Sequence, residues 1–340
     1  MNCALNLKDS SVLVSDLHLT GATRDEYRWD IFPWLLELVK QHSIPNVVIL
    51  GDLTDAKDYH SSVLVNRICT NLMLLAETCC VWVLRGNHDG IDPNTPYFMF
   101  LNGLKNVFMI HQPQAEGGVM FLPHSRDPVH DWEHLDLAKY EMVFAHVTVS
   151  GAVAENEMAL EGAPISIFNG VKQVYSGDVH VPQTRKNVEY VGAPYPIRFG
   201  DKYQGRCLWL DGGEVKPLHY RTIARCKLIL TPRELADGAA LSMLRPGDQV
   251  KIVIRLPQSE LVSWLEHRNA VQQACADAQV EVHGMELEVI GTRAGGEGGT
   301  PPTERTKLST RDVFNQYCAK ENLGADLVEV GAAILEQVND

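Results

Sequence analysis

The strongest limit on the fold is a pattern that occurs four times in the first half of the chain, a short apolar segment ending in a polar cluster. The segments are SVLVSD, NVVILGD, CCVWVLRGN and EMVFAH. Apolar residues recur at helical spacing between the first two segments, at residues 27–41, and between the second and third, at residues 61–77. β-rich runs buried on both faces and alternating with helices predict a layered α/β architecture.

The segments that follow have a different character. GGVMFLP, KQVYSGDVH, NVEYVGAPYP and RCLWLDGGEVKPLHY lie close together, with turn signals such as Asp211-Gly212-Gly213. Closely spaced strands with such turns predict an antiparallel sheet. We therefore expect an α/β fold in which a two-sheet β-sandwich is flanked by helices.

The organisation of the chain changes after residue 222. Residues 1–222 are expected to form the sandwich domain, and residues 223–291 a small α+β capping domain. Residues 292–308 are rich in Gly and Pro and predict a flexible linker, and residues 309–340 predict a tail of two short helices. Two alternatives stay open for the tail, since it could fold back on its own domain or dock a partner.

Composition limits the class of protein. The net charge of −13 argues against tight nucleic-acid binding without help from another protein. The start, MNCALNLKDSSV, lacks the pattern of a secretory signal, and no apolar run approaches the ~20 residues of a membrane span. The eight cysteines show no CxxC spacing, so we expect reduced thiols in a cytoplasmic protein without a membrane anchor.

Five polar clusters follow apolar runs, where open α/β sheets place their functional sites. In chain order the clusters provide Asp16 and His18; Asp52; Asn87 and His88; His146; and Asp178 and His180. One such cluster is usually a turn, but five in order predict a divalent metal centre. Mixed imidazole and carboxylate ligands suit Mn²⁺, Fe²⁺ or Zn²⁺, and the lack of thiolates disfavours a structural zinc site. Alternation along an extended segment would place Asp16 and His18 on the same side.

The order DxH, GD, GNHD, H and GxxH resembles that of the calcineurin-like metallophosphoesterases. More narrowly, AHVTVSGA and GDVHVPQ, with YVGAPYPIRFGD after them, resemble the SbcD-type DNA repair nucleases of bacteria and phages. The resemblance implies two metal ions, with Mn²⁺ first and Fe²⁺, Zn²⁺ or Mg²⁺ as alternatives. One ion would take Asp16, His18, Asp52 and His180, and the other Asp52, Asn87, His146 and Asp178. His88 would be the catalytic residue, and Asp89 would orient its ring.

Residue 178 departs from the family pattern, which has histidine at that position. An aspartate is a competent ligand for Mn²⁺, but it is shorter and adds a negative charge. It should therefore favour a harder ion at the second metal position.

The resemblance implies a DNA exonuclease or endonuclease that belongs to a repair and recombination complex. In that family the nuclease works with a coiled-coil ATPase of SbcC type, and homodimers are frequent. The sequence contains no GxxxxGK[ST] loop, so an ATPase would have to be a separate partner. Loop arginines are candidates for contacts with the DNA backbone, although solvated surface is an equal interpretation: Arg126, Arg185 and Arg198.

Two other functions are consistent with the same motifs. A small-substrate phosphodiesterase or a phosphoprotein phosphatase could use the same dinuclear centre. A scaffold protein with a degenerate site is the non-enzymatic alternative, which the nearly complete motif set disfavours.

Overall fold

The computed structural model describes residues 9–290, together with Cys3, Leu5, Phe314, Tyr317, Cys318 and Val328. The chain divides into two compact units, Met1–Thr222 and Ile223–Asp340. The predicted linker and most of the predicted helical tail lie outside the described residues. No helix among the described residues is long and apolar enough to cross a membrane.

The first sheet of unit 1 carries the first three polar clusters. Its strands are β1 (Ser11–Val14), β2 (Asn46–Ile49), β3 (Cys80–Leu84), β4 (Val107–Ile110), β11 (Cys207–Asp211) and β12 (Glu214–Leu218). They lie in the order β12-β11-β1-β2-β3-β4. Strands β1 to β4 are parallel to one another. Strand β11 is antiparallel to both of its neighbours, β1 and β12. The parallel strands bring their carboxyl ends to one edge of the sheet.

Two helices connect the parallel strands of this sheet, as the helical spacing predicted. Helix α1 (Ile31–His42) follows a 3₁₀ helix at Thr23–Asp30, and α2 (Ser62–Ala76) lies between β2 and β3. The Ser61 hydroxyl caps α2 by accepting a hydrogen bond from the Leu64 N–H. Both helices bury one apolar face, and every residue of β1, β2 and β3 is buried.

The second sheet carries the remaining clusters. Its strands and one short helix are β5 (Gln114–Glu116), β6 (Val119–Leu122), α3 (Pro128–Asp131), β7 (Met142–His146), β8 (Gln173–Gly177), β9 (Gln183–Arg185) and β10 (Val188–Tyr190). The strands lie in the order β5-β6-β7-β8-β10-β9. The predicted antiparallel arrangement is wrong for its centre, because β6, β7, β8 and β10 are parallel neighbours. Long connections at 123–141 and 147–172 provide the return that parallel pairing requires.

The two sheets pack face to face around an apolar core. Trp82 of the first sheet stacks against Phe121 of the second, with ring centroids 5.8 Å apart. The Trp82 indole N–H donates to Asn46 Oδ1 at 3.1 Å, which satisfies its buried polar group. The same core contains Leu13 and Phe144. The predicted two-sheet sandwich flanked by helices is therefore confirmed.

The expectation that all cysteines are reduced is wrong for one pair. Cys3 and Cys80 form a disulfide, with Cα atoms 5.7 Å apart. A separation of 77 residues in sequence gives no spacing signal, so the sequence does not predict the pair. The remaining cysteines are free: Cys69, Cys79, Cys207, Cys226, Cys275 and Cys318.

Unit 2 contains a small sheet covered by helices. Its elements are β13 (Arg225–Leu230), α4 (Pro232–Asp237), α5 (Ala239–Ser242), β14 (Gln249–Pro257), α6 (Trp264–Asp277) and β15 (Glu281–Ile290). The three strands are parallel, with β14 in the middle. Val271 and Cys275 of α6 pack with Val250 and Ile252 of β14 in one apolar cluster.

Candidate metal centre

All five polar clusters lie at the carboxyl ends of parallel strands or just beyond them. Asp16 and His18 follow β1, Asp52 follows β2, and Asn87 follows β3. In the second sheet His146 ends β7, and Asp178 and His180 follow β8. Face-to-face packing of the sheets therefore brings seven predicted ligands into one region.

Four of these residues have left-handed backbone conformations that side chains other than glycine seldom adopt. They are Asp16 (φ 55°), His18 (φ 44°), Asp52 (φ 54°) and Asp178 (φ 80°). Each such residue costs about 1–3 kcal/mol, and clusters of them are typical of functional sites. Asp16 and His18 therefore do not converge through strand alternation, as the spacing suggested, but through a turn that leaves Leu17 buried in the core.

Gly51 and Gly86, which precede the ligands Asp52 and Asn87, lie where there is no room for a larger side chain. A Cβ on Gly51 would lie 2.1 Å from His146 Nδ1, and one on Gly86 would lie 2.1 Å from Asp52 Oδ1. Both distances are far inside van der Waals contact. The Gly in the GD and GN motifs thus permits the side chains of neighbouring loops to approach the backbone.

The first ligand cluster is formed by Asp16, His18 and His180, whose ligand atoms lie within 4.8 Å of one another. The Nε2 atoms of His18 and His180 face each other at 3.1 Å. His18 Nε2 also lies 3.5 Å from Asp52 Oδ2.

The second ligand cluster lies on the other side of Asp52. His146 Nε2 is 3.5 Å from Asp52 Oδ1 and 3.6 Å from Asp178 Oδ1. One atom of the Asn87 carboxamide lies 3.0 Å from His146 Nε2 and from both Asp52 oxygens. Asp52 therefore presents one oxygen to each cluster, which is the geometry expected of a carboxylate that bridges two ions.

The electrostatics of the cluster favour bound cations. Asp16 and Asp52 are buried, and burial raises the pKa of Asp52 well above its usual range, with Asp89 and Asp16 adding to the shift. Burial alone would lower the pKa of His146, but Asp52 and Asp178 outweigh it and raise that pKa to about 9. Within the described part of the chain, the ion-pair partners of Asp52 and Asp178 are histidines. Buried carboxylates without a lysine or arginine partner fit divalent ions.

His88 lies beside the first cluster. Its ring centroid is 4.9 Å from that of His18, and its backbone N–H donates to Asp52 Oδ1 at 2.9 Å. His88 Nδ1 lies 2.6 Å from the backbone carbonyl oxygen of Asp55. This contact would leave Nε2 free to face a substrate.

The prediction that Asp89 orients the His88 ring is wrong, because the Asp89 side chain points to backbone groups instead. Asp89 is fully buried, and its carboxylate accepts hydrogen bonds from the N–H groups of Asp52, Leu53 and Gly86 at 2.7–2.9 Å. Its oxygens thus hold the two ligand-bearing loops after β2 and β3. Adjacency in sequence suggested a catalytic partner, but the turn after Asn87 directs this side chain into the core.

We predict that Asp89→Ala lowers the free energy of unfolding by about 3 kcal/mol or more, because three buried N–H groups lose a charged acceptor. Urea denaturation of the metal-free protein measures this change. Asp136→Ala is the control, because Asp136 is exposed and its side chain caps no helix. Equal midpoints for the two variants would contradict the structural role of Asp89.

Several residues that hold the ligands were not identified from sequence. Asp55 Oδ1 lies 3.3 Å from His18 Nδ1, and Glu155 Oε1 lies 2.5 Å from His180 Nδ1. The Thr148 hydroxyl donates to Asp178 Oδ2 at 2.6 Å. Asp55 belongs to the GDLTD motif and Thr148 to AHVTVSGA, so both could have been found there, whereas no motif links Glu155 to the site.

The buried Arg28 supports the first loop from behind. Its guanidinium donates to the carbonyl of His18 and, at 3.2 Å, to that of Ile197, and it pairs with Asp25. The Tyr195 hydroxyl donates to the carbonyl of Leu17 at 2.7 Å. These contacts hold the backbone of residues 16–18 in the left-handed conformations that Asp16 and His18 adopt.

The candidate substrate arginines are exposed, but only Arg126 and Arg198 lie on loops, because Arg185 is the last residue of β9. Arg198 is close enough to Glu155 to contribute to the lowering of the Glu155 pKa to about 2, for which the hydrogen bond to His180 is the largest cause. Arg185 Nη2 lies against Gly151, where a Cβ would approach it to 2.7 Å. Arg126 follows β6 on the loop before α3.

One histidine without a position in the family pattern also reaches this region. The His124 ring centroid lies 6.1 Å from that of His146. Burial and the neighbouring His146 lower the pKa of His124 to about 4. It is therefore neutral near pH 7.

Comparison with known proteins agrees with this geometry. The sequence model of the family described as calcineurin-like phosphoesterase matches residues 11–182. The chain is 23% identical to the SbcD component of nuclease SbcCD from Escherichia coli strain K12, over 91% of this chain and 92% of that protein. The corresponding protein of Escherichia coli O157:H7 gives the same values.

Two solved structures match part of this chain at low sequence identity. The Pseudomonas putida nuclease MPE is 15% identical, covering 61% of this chain and 87% of that one, with a TM-score of 0.34. A dimetal phosphatase from Danio rerio is 12% identical, covering 63% and 99%, with a TM-score of 0.37.

Proposed function

The chain belongs to the calcineurin-like phosphoesterase family, and we propose that within this family it is a metal-dependent DNA nuclease. The observation that carries the proposal is the position of Asp52, which presents one carboxylate oxygen to each ligand cluster. A carboxylate between two ligand clusters is suited to hold two ions close together, as two-metal phosphodiester hydrolysis uses them.

The donor set fits two divalent ions. Asp16, His18, His180 and Asp52 would hold the first, and Asn87, His146, Asp178 and Asp52 the second. Oxygen and imidazole donors in this mixture suit Mn²⁺, with Fe²⁺, Zn²⁺ and Mg²⁺ as alternatives. When bound, such a pair of ions supplies charge neutralisation on a phosphate and lowers the pKa of a shared water toward ~7.

The protein's own residues then orient the reaction. His88 Nε2 is free to donate a proton to a phosphate oxygen or to the leaving oxygen, because Nδ1 faces the Asp55 carbonyl. Asp52 is fixed by two contacts: its backbone N–H donates to Asp89 and its Oδ1 accepts from the His88 N–H. No side chain is needed as a nucleophile, so no covalent intermediate is expected.

The proposal of DNA as substrate is supported by the relative, since the Escherichia coli protein matched over 91% of this chain is named as part of a nuclease. We propose that this chain likewise acts with a coiled-coil ATPase of SbcC type. The net charge of −13 favours this division of work, because a partner would provide much of the contact with phosphates. A homodimer, which the resemblance of the motifs implies, is a further proposal.

The deciding experiment is a cleavage assay with Mn²⁺ on single-stranded and duplex DNA, with and without a candidate ATPase. Bis-p-nitrophenyl phosphate is assayed beside them as a small diester. DNA cleavage is expected under at least one condition. If only the small diester is hydrolysed, the nuclease proposal fails and the small-substrate phosphodiesterase replaces it.

Asp178 tests the composition of the second ligand cluster. We expect Asp178→Ala to lower the bound Mn²⁺ from two ions to one, because the variant removes a charged donor 3.6 Å from His146 Nε2. We expect Asp178→His, which restores the family's residue, to keep both ions. Metal content after gel filtration measures both. Two ions in Asp178→Ala would show that residue 178 is not a ligand.

A further inference from the structure

The loop between β7 and β8 is held in place by a side chain from the VPQ segment. Residues 150–162 of this loop form a short bridge between Val153 and Ala159. The Gln183 amide pairs with the Val153 backbone in both directions: Nε2 donates to the Val153 carbonyl at 2.7 Å, and Oε1 accepts from its N–H at 2.8 Å. The Gln183 side chain thus makes the pair of hydrogen bonds that the backbone of a neighbouring β-strand would make with Val153.

Glu155 lies two residues beyond this anchor and reaches the candidate metal ligand His180. Its Oε1 is 2.5 Å from His180 Nδ1, and the two side chains are 21% and 12% exposed. The opposite ring nitrogen, Nε2, faces His18 Nε2 at 3.1 Å in the first ligand cluster. The carboxylate and the ligand cluster therefore lie on opposite sides of one imidazole.

We propose that Glu155 is a positioning residue for the first metal ion, acting through His180. A carboxylate that accepts the Nδ1–H fixes the tautomer in which Nε2 carries the lone pair, and it also fixes the plane of the ring. The inference rests on the dinuclear centre proposed above.

The three histidine ligands differ in what contacts their far nitrogen. His180 has the close carboxylate of Glu155, and His18 has that of Asp55 at 3.3 Å. His146 Nδ1 instead lies 2.7 Å from the neutral carbonyl of Leu50. His18 and His180 in the first cluster therefore each have a carboxylate at the far nitrogen, which is the arrangement that orients a metal-bound imidazole, whereas His146 has a neutral carbonyl there.

The test is the affinity for Mn²⁺, measured by titration calorimetry on the full chain. His180→Ala first identifies the binding step that belongs to His180, because that step disappears in the variant. Glu155→Gln is then expected to weaken the same step by about 10–100-fold while the other step is unchanged. Gln183→Ala, which releases the loop, is expected to weaken it in the same direction.

Glu161→Gln is the matched control, because it removes the same charge from an exposed residue of the same loop. It should bind Mn²⁺ as the wild type does. In zinc-loaded protein the Nδ1–H resonance of His180, assigned by its loss in His180→Ala, should shift or broaden in Glu155→Gln alone. Wild-type affinity and an unchanged resonance in Glu155→Gln would overturn the inference.

The failure of this inference can be told from the failure of the proposed function. Normal Mn²⁺ binding without DNA cleavage would reject the nuclease and leave the positioning role of Glu155 intact. DNA cleavage together with unchanged Mn²⁺ affinity in Glu155→Gln would support the nuclease and reject the positioning role of Glu155. A wild-type protein that binds no divalent ion would overturn both.

Discussion

Asp52→Asn is expected to remove both metal ions and to lower the rate of phosphodiester hydrolysis by about a thousandfold or more. The reason is that each oxygen of Asp52 faces a different ligand cluster, at 3.5 Å from His18 and from His146. An amide offers one neutral oxygen in place of two charged ones. Metal analysis and hydrolysis of the small diester measure the two losses.

The same variant should fold normally, which separates the loss of metal from unfolding. Asparagine tolerates the left-handed conformation of residue 52 (φ 54°), and its oxygen can still accept from the His88 N–H. Because the buried carboxylate is disfavoured in the metal-free protein, Asp52→Asn should be at least as stable as the wild type without metal.

Added Mn²⁺ should distinguish the two proteins in a thermal melt. A free ion concentration of a hundred times the Kd stabilises the wild type by about 2.7 kcal/mol for each occupied position. Asp52→Asn should gain nothing, and Asp136→Asn, an exposed control, should behave as the wild type does. An Asp52→Asn variant that is still stabilised by Mn²⁺ would show that residue 52 does not bridge the ions.

His88→Ala is expected to lower turnover by about 10²–10⁴-fold while both ions remain bound. His88 contacts the ligand His18 edge to edge, with centroids 4.9 Å apart, and its Nδ1 lies 2.6 Å from the backbone carbonyl oxygen of Asp55. The variant should therefore separate proton donation from metal binding.

Two measurements on one preparation decide this prediction: metal content and hydrolysis of the small diester. His134→Ala provides the control, because it removes an exposed histidine. Loss of both ions in His88→Ala would refute the catalytic assignment and make residue 88 part of the ligand set.

The position of the candidate centre was predictable because parallel strands place their carboxyl ends together. Asp16, Asp52 and Asn87 follow three neighbouring strands, so the order of strand ends along the chain already gives their proximity. The direction of the second sheet was not predictable in this way. It depends on the long connections around β7, whose path has no local signal in the sequence.

The details around each ligand were also beyond the sequence. Asp89 follows His88 directly, yet its oxygens bind backbone N–H groups of another loop. Glu155 is 25 residues from His180, yet its carboxylate contacts the ring. The contacts of these side chains depend on tight turns and distant loops, so they cannot be predicted from the residues next to them in sequence.

The segments that resemble the SbcD-type nucleases, GDVHVPQ and YVGAPYPIRFGD among them, have structural roles in the support of the ligand loops. Gln183 of VPQ anchors the loop after β7, and the Tyr190 hydroxyl accepts from the Val149 N–H at 2.7 Å. Tyr195 holds the Leu17 carbonyl. These residues support ligand loops, so the resemblance reports on how the centre is built more directly than on which substrate it accepts.

The support of the ligand loops by Asp89 and Arg28 has a consequence for ion exchange. Both are buried, and their hydrogen bonds go to backbone groups, so this support of the loops does not depend on a metal ion. The donor atoms are therefore preorganised, and little reorganisation energy opposes the entry of a cation. We therefore expect that an ion can leave this centre and be replaced without unfolding of the sandwich, unlike small zinc domains in which the metal supplies the folding energy. The identity of the resident ion would then follow the supply of metals in the surroundings of the protein.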